Sequence, residues 1–305
     1  MPAEGVKWKP HQSILTFEEI LRICRIMAEL GITKIKLTGG EPLVRRGMAP
    51  FLGSLKNVKG LEKITLTTNG VLLGAFLDEA MALNIMPDGV NISMDALDPE
   101  RYSRIARGEI LKPAEILLSV DRLLDMGVLV KINCVPVRGF NEEDLIPLAS
   151  LAKDKNIIVR FIELMPFGSA AEMKHVPGKE IVSLLEKTFG ALTPFTGIQG
   201  NGPAVYYSLP GFTGKIGFIN AVTHGFCETC NRLRLTSTGS LMPCLSYDLG
   251  LDLRTMLRSG ASDEELAGSI KETAANKPQF HALSGVYGKA VQEKQNTGGM
   301  SGIGG

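Results

Sequence analysis

The sequence predicts an α/β protein in which a parallel sheet curves into a barrel with a polar interior and is followed by a smaller α+β region. Strand-like and helix-like segments alternate over the first half of the chain. The strand-like segments are apolar on one face and polar on the other, and three of the five cysteines fall in one hairpin after the alternation ends. A chain of 305 residues is long enough for one or two domains.

The first predicted element is a helix over residues 16–30. Thr16 and Glu19 have the spacing of a capping box, apolar residues recur with a helical period, and Gly31 stands where a helix should end. Cys24 lies on the apolar stripe of this helix, so we expect it in the core. Five strand-like segments follow, with room for a helix between successive strands: 34–38, 63–69, 90–95, 130–135 and 157–165.

The alternation within these strands predicts a hollow barrel. A closed (β/α)8 barrel fills its interior with bulky branched side chains, and a buried polar group without a partner costs about 1–3 kcal/mol. If helices cover the apolar face, which includes Cys134, then the polar face must line an interior that holds water or a large polar ligand. The polar face comprises Lys36, Thr38, Thr65, Thr67, Asn69, Asn91, Ser93, Asp95, Lys131 and Asn133.

The βα rhythm fades after residue 166, so we expect a barrel domain over 1–166 and a C-terminal domain over 167–305. The second domain is predicted to contain a helix over 179–189, short strands over 206–219 and helices over 251–257 and 263–273. Ser262 and Glu265 form a capping box for the last helix. By composition, the glycine-rich residues 296–305 would be a flexible tail.

The hairpin over residues 224–245 holds Cys227, Cys230 and Cys244 in the spacing C-x2-C-x13-C. This pattern predicts a soft-metal site, because three is an odd number for disulfides and the chain has no feature of a secreted scaffold. An iron–sulfur cluster held by three thiolates would leave one iron open to another ligand. A structural zinc site with His224 as the fourth ligand is the alternative, and the spacing does not separate the two.

Two arginines beside these cysteines favour a functional site. Strand alternation over residues 231–235 would put Arg232 and Arg234 on one face and the two leucines on the other. Two guanidiniums beside a metal with an open position suit a polyanion such as a triphosphate. The alternative is an ordinary solvated strand face.

Bulk properties exclude several classes of function. The net charge of +1 gives no reason to expect binding to nucleic acid or an acidic membrane. No apolar run is long enough to span a bilayer, and the first residues contain no apolar signal core. Reduced cysteines without an export signal suggest a reducing intracellular compartment.

Seven motifs together resemble the molybdenum cofactor biosynthesis protein A family, the radical-SAM GTP 3′,8-cyclases. They are GGEP at 39–42, TTNG at 67–70, NISMD at 91–95, RFIELMP at 160–166, CETCNRLR at 227–234, Cys244 and the terminal pair Gly304 and Gly305. The resemblance covers nearly the whole chain. It implies a partial (β/α)6 TIM-like radical-SAM barrel, which holds S-adenosylmethionine (SAM) and GTP between two 4Fe–4S clusters.

The resemblance also implies roles for particular residues. Gly40, Ser93 and Met165 would contact SAM, while Lys36, Thr67 and Lys131 would contact GTP. Cys227, Cys230 and Cys244 would hold the cluster whose open iron meets the guanine base, with Arg232 and Arg234 near the substrate. Gly304 and Gly305 would reach into the active site.

The implied chemistry is the first step of molybdenum cofactor biosynthesis. Reductive cleavage of SAM gives a 5′-deoxyadenosyl radical, which abstracts hydrogen from the ribose 3′ carbon of GTP. Attack on guanine C8 then gives (8S)-3′,8-cyclo-7,8-dihydroguanosine 5′-triphosphate. The implied partners are an external electron donor and a downstream cyclic pyranopterin monophosphate synthase. A homodimer and a cytoplasmic or mitochondrial matrix location are further expectations.

One motif of the family is absent from the sequence. A C-x3-C-x2-C motif holds the family's SAM cluster, and its third cysteine normally precedes a run like residues 1–5. We therefore expect the first barrel strand to be missing and the chain as written to be inactive. The alternatives are an inactive fragment, a non-catalytic protein that binds GTP or a cluster, a zinc-stabilised α/β protein, and a different radical-SAM enzyme with an auxiliary cluster.

Overall fold

The computed structural model describes residues 9–106, 112–166, 168–197, 200, 202–247 and 250–280. The helices in these ranges are α1 Phe17–Glu29, α2 Met48–Lys56, α3 Leu73–Ala82, α4 Pro99–Ala106, α5 Pro113–Asp125, α6 Leu145–Asp154, α7 Gly178–Phe189, α8 Leu253–Arg258 and α9 Asp263–Ala275. The strands are β1 Lys34–Leu37, β2 Lys63–Thr68, β3 Gly89–Ser93, β4 Leu129–Cys134, β5 Ile158–Ile162, β6 Thr193–Phe195, β7 Val205–Ser208, β8 Lys215–Ile219, β9 Arg234–Leu235, β10 Ser240–Met242 and β11 Leu251–Asp252. None of the described helices has the length and hydropathy needed to cross a membrane.

The main sheet has the strand order β1-β2-β3-β4-β5-β8-β7-β6. Strands β1 to β5 and β8 run parallel, whereas β7 and β6 extend the sheet in antiparallel fashion. Because β1 and β6 lie at opposite ends, the described strands form a partial barrel. The five predicted strands are confirmed, and β8 adds a sixth parallel strand from the region that follows residue 166. The long connection from β5 to β8 contains α7, β6 and β7, which is why the βα period is lost there.

The predicted alternation of the two sheet faces is confirmed. The register pairs Ile92 with Ile132 and Asn91 with Lys131, so apolar and polar side chains each form continuous rows across neighbouring strands. Ile92, Ile132 and Cys134 are fully buried in the main core with residues of the helices that cover this face. The helices therefore pack on the apolar face, and the polar face is left for a ligand or solvent.

A second core joins the three-stranded sheet β9 to β11 to helices α1, α8 and α9. Helix α1 contributes to both cores, since Ile23 lies in the second core and Cys24 in the main one. The predicted capping boxes are both present, at Thr16 for α1 and at Ser262 for α9. The second core therefore attaches the cysteine-bearing hairpin to the barrel through α1.

Replacement of a residue on the apolar face should destabilise the whole fold. Ile132 is fully buried, so Ile132→Ala should lower the free energy of unfolding by about 2–5 kcal/mol, through lost burial and the cavity it leaves. Urea unfolding followed by circular dichroism measures this loss. Leu118→Ala is the control, because Leu118 is 65% exposed and its truncation should change stability by less than about 0.5 kcal/mol. Equal losses for the two variants would contradict this account of the core.

Candidate active site

A hydrogen-bonded network crosses the polar face of the sheet. Arg160, 5% exposed on β5, donates from Nε to Asn133 Oδ1 at 2.8 Å and from Nη2 to Asn91 Oδ1 at 2.7 Å. Asn91 in turn donates from Nδ2 to the carbonyl oxygen of Leu66 at 3.1 Å and to Thr67 Oγ1 at 3.2 Å. Four neighbouring strands are thus connected through side chains, and the guanidinium is held in one place although its charge is not neutralised by a carboxylate in this network.

Two lysines lie beside this guanidinium. Burial lowers the pKa of Lys131 to about 8, and repulsion from Arg160 and Lys36 adds to the effect. The pKa of Lys36 is also lowered to about 8, first by desolvation and then by repulsion from Arg160, Arg232 and Arg234. The Lys36 side chain remains accessible to solvent even so, as expected for a group inside an open concavity. The cations on the barrel strands and those of the hairpin therefore act on one another, and an anion bound among them would relieve their repulsion.

Gly200 and Gly202 lie close to two of these cations. Gly200 has a φ of +109°, and a Cβ built on it would lie 2.9 Å from Lys131 Nζ. A Cβ on Gly202 would lie 4.0 Å from Arg160 Nη1. Glycine adopts a positive φ at little cost, which other residues rarely do, so Gly200 suits this position beside the Lys131 ammonium. The two glycines therefore form part of the wall around the cations.

Glu41 connects the loops that follow β1 and β2. Its carboxylate accepts hydrogen bonds from Leu43 N at 3.0 Å, from Thr68 Oγ1 at 2.7 Å and from Asn69 N at 2.7 Å. The GGEP and TTNG motifs therefore form one hydrogen-bonded unit at the carboxyl edge of the sheet, where ligands bind to parallel α/β folds.

The residues expected to contact SAM share this edge. Gly40 follows β1, Ser93 ends β3 and Met165 follows β5. Gly40 and Ser93 are exposed there, and Met165 is half-buried.

Glu163 connects the same edge to the hairpin that carries the cysteines. It follows β5, and its Oε2 accepts hydrogen bonds from Val222 N at 2.8 Å and Thr223 N at 3.0 Å in the loop after β8. The chain continues from this loop to Cys227 within a few residues. The carboxylate thus fixes the start of the hairpin against the barrel edge.

The hairpin brings the predicted cysteines to one end. Cys230 N donates to the carbonyl oxygen of Cys227 at 3.0 Å in a 3₁₀ turn. Strands β9 and β10 pair Leu235 with Leu241 and Arg234 with Met242, which returns Cys244 toward the CxxC turn. All three thiols are half-buried and reduced. The strand predicted over 231–235 is shorter than expected, because backbone pairing begins only at Arg234.

The environment of these thiols suits thiolate ligands. Burial alone would raise the pKa of Cys230, but the backbone N–H and guanidinium of Arg232, together with the Lys277 ammonium, outweigh it and lower the pKa. Arg232 is exposed, with its Cζ 4.8 Å from the centre of the Phe226 ring. Burial lowers the pKa of Arg234, with Arg232 adding repulsion and Cys244 opposing it. Both arginines therefore lie beside the cysteines, as predicted.

The metal-binding side chains that the structure describes do not converge on a single point. Among the residues that the structure describes, no three Cys, His, Asp or Glu side chains are close enough to hold one metal ion. His224, the zinc ligand of the alternative hypothesis, instead has Nδ1 3.2 Å from Thr223 Oγ1. In a 4Fe–4S cluster each thiolate binds a different iron atom, so the sulfurs need not converge on one point.

The sequence analysis did not predict a role for several residues of the site. Arg160 begins the RFIELMP motif, but no role was predicted for it. Its register with Asn133 places it on the polar face of the sheet. Glu163 and Gly200 carry no local signal, since their partners are remote in sequence. Gly304 and Gly305 lie outside the described residues.

Comparison with known proteins identifies the class of protein. The Radical SAM superfamily model matches residues 3–152, and the Molybdenum Cofactor Synthesis C model matches residues 157–283. The crystal structure of Streptococcus suis SuiB bound to S-adenosylmethionine shares the fold, with a TM-score of 0.57 at 14% identity over 88% of this chain. This chain spans 62% of that SuiB chain. The fold and the family matches define a radical-SAM enzyme.

Relatives with higher sequence identity show which family of radical-SAM enzymes the chain belongs to. A protein of Clostridium perfringens named GTP 3′,8-cyclase is 41% identical over 89% of this chain and 83% of its own length. Proteins of the same name from Syntrophomonas wolfei and Heliobacterium modesticaldum are 40% and 39% identical over 96% and 98% of this chain, and over 90% and 92% of their own lengths. The chain belongs to the GTP 3′,8-cyclase family.

The cysteines should differ sharply in reactivity in the metal-free protein. Iodoacetamide at about pH 7.5 should label Cys230 early, because its pKa is lowered and thiolates are the reactive form. Cys24 and Cys134 should stay unlabelled until the protein unfolds, since burial raises the pKa of Cys24 to about 12 and that of Cys134 well above its usual value. Peptide mass spectrometry over time measures the order. Labelling of Cys24 before Cys230 in folded protein would contradict this description.

Proposed function

We propose that this chain is a GTP 3′,8-cyclase, in which the converging cations bind the triphosphate of GTP. The supporting observation is the mutual repulsion of Lys36, Arg160, Arg232 and Arg234, together with Lys131, around one polar face. A nucleoside triphosphate carries enough negative charge to offset these cations, and guanidiniums match phosphate oxygens in pairs. The names of the relatives supply the identity of the nucleotide.

The remaining site residues have distinct roles in this proposal. Gly40, Ser93 and Met165 bind SAM at the carboxyl edge of the barrel, and Thr67 contacts GTP beside the Asn91 amide. Cys227, Cys230 and Cys244 hold a 4Fe–4S cluster beside Arg232 and Arg234. The terminal Gly304 and Gly305 complete the active site. Residues 1–166 supply the first five parallel strands of the barrel, and residues 167–305 supply its sixth parallel strand, β8, together with the cysteine region.

The chain's own residues would position GTP for a reaction at its ribose. When bound, the cofactors supply the 5′-deoxyadenosyl radical that abstracts the 3′ hydrogen. Lys131 and Arg160 hold the triphosphate against the sheet, with Gly200 on one side of it. Lys36 is repelled both by Arg160 and by the hairpin arginines, so it would bind phosphate together with either group. In this proposal the guanine base faces the three cysteines, while the two arginines of the same hairpin contact the phosphates.

The product would pass to a downstream cyclic pyranopterin monophosphate synthase, and an external donor would reduce the SAM cluster. We propose a homodimer and a cytoplasmic or mitochondrial matrix location on the same family grounds. These proposals rest on the resemblance rather than on contacts in the chain.

A second candidate is a protein that binds GTP and one cluster without catalysis. The observation that favours it is the lack of a C-x3-C-x2-C motif among the 305 residues. Without thiolates for a SAM cluster, these residues cannot deliver an electron to SAM. The two candidates share the cation site and the cysteine hairpin, and differ only in the radical step.

Anaerobic reconstitution of a polypeptide with these 305 residues tests the proposal. One three-thiolate cluster should give about four iron and four sulfide per chain, and Cys230→Ser should abolish most of it. With SAM and dithionite, release of 5′-deoxyadenosine together with loss of GTP would support the cyclase. GTP binding without 5′-deoxyadenosine would support the non-catalytic candidate. About one zinc per chain with no iron would contradict both.

The affinity for GTP should fall as the pH rises through the pKa of the two lysines. Lys36 and Lys131 have pKa values of about 8 without ligand, so they lose their protons between pH 7 and 9. A triphosphate attracts the protonated forms, so binding should weaken by up to about tenfold per lysine over this range. Isothermal titration calorimetry at about pH 7 and pH 9 measures the change. The controls are Lys36→Met and Lys131→Met, each of which should bind more weakly at pH 7 and show a smaller pH effect than the wild type.

A further inference from the structure

Lys277 bridges the two chain segments that carry the hairpin cysteines. It lies just beyond the end of α9, and its Nζ donates to the carbonyl oxygen of Arg232 at 2.7 Å and to that of Pro243 at 2.6 Å. Arg232 follows Cys230 by two residues, and Pro243 immediately precedes Cys244. One ammonium group thus connects the CxxC turn to the segment of the third cysteine.

The bridge lies where the backbone ladder of the hairpin has ended. Strands β9 and β10 pair Arg234 with Met242, and no strand pairing is found beyond these residues on the side of the cysteines. Arg232 lies two residues before Arg234, and Pro243 directly follows Met242, so both carbonyl groups lie just beyond the last backbone pair. A lysine ammonium has three donors, so it can replace the missing ladder bonds with two charge-assisted ones.

The chain after Lys277 is held to the same hairpin a second time. Tyr247, which is 2% exposed and follows Cys244 by three residues, donates from its hydroxyl to the carbonyl oxygen of Phe280 at 3.1 Å. The segment 277–280 therefore contacts the cysteine region at both ends. Helix α9 is in turn fixed by the second core through Leu266 and Ile270, so the bridge has a rigid base.

We propose that Lys277 is a positioning residue for the three-thiolate cluster: it fixes the separation of the Cys230 and Cys244 segments and the main-chain position of Arg232. This inference rests on the proposed cluster at Cys227, Cys230 and Cys244. In this role Lys277 acts through the two carbonyl groups that it holds, in addition to the effect of its positive charge on Cys230. Residues that orient metal ligands from outside the ligand set commonly affect metal affinity by about 10- to 100-fold.

Cluster retention tests the role of Lys277 independently of catalysis. Lys277→Met should lose iron to a chelator about tenfold faster than the wild type, measured anaerobically by the decay of cluster absorbance and by iron counts. Lys277→Arg keeps a charged donor group and should be closer to the wild type than Lys277→Met. Lys271→Met is the matched control, since Lys271 is exposed on α9 and its loss should leave retention unchanged. An unchanged melting temperature in Lys277→Met would show that the fold is intact.

Two further results separate failure of this inference from failure of the proposed function. A wild-type protein that takes up no iron–sulfur cluster would overturn the cluster itself and, with it, this role for Lys277. A wild-type protein that retains its cluster while Lys277→Met loses iron at the same rate would overturn the inference alone. Should Lys277→Met fold poorly, Tyr247→Phe removes only the second contact of the segment, and its iron loss should then be faster than that of the wild type.

Discussion

The site depends on an arginine whose charge is buried and hydrogen-bonded but not cancelled by its hydrogen-bond partners. Removing a charged group from water costs several kcal/mol unless the protein compensates it. Arg160 donates hydrogen bonds to two neutral acceptors, Asn91 at 2.7 Å and Asn133 at 2.8 Å. Carboxylates at those positions would have held the guanidinium more tightly and neutralised it. Amides satisfy its geometry while leaving its positive charge available to an anion, and Lys131 and Lys36 increase that charge.

This arrangement is possible because one face of the sheet packs in the core and the opposite face carries the candidate site. The apolar face packs against helices in the main core, so the polar face can remain hydrated. Carboxylates lie at the carboxyl edge of the sheet instead. There Glu41 and Glu163 accept hydrogen bonds from backbone N–H groups and so connect neighbouring loops. The two carboxylates accept hydrogen bonds from backbone N–H groups of the loops. These hydrogen bonds position the loops around the cations of the polar face.

Sequence patterns predicted the parts of the structure that depend on local order. Alternation along β4 placed Lys131 inside and Cys134 in the core, and capping residues located α1 and α9. What was missed depends on partners remote in sequence. The insertion of β8 beside β5 follows a long excursion through α7 and a hairpin, and the approach of Gly200 to Lys131 joins two segments about seventy residues apart. The spacing of the cysteines left zinc and iron–sulfur open, because spacing along the chain does not set the distances between the sulfurs.

The cysteine hairpin is supported unequally on its two sides. Leu233 and Leu235 pack against the second core, which anchors the side away from the thiols. On the thiol side, the described contacts include the turn at Cys227 and the bridge from Lys277, both of them polar. Polar contacts near the surface contribute less to local stability than buried apolar packing. A bound cluster would add covalent constraints at the three sulfurs, so ordering of this end of the hairpin and uptake of the cluster are thermodynamically linked.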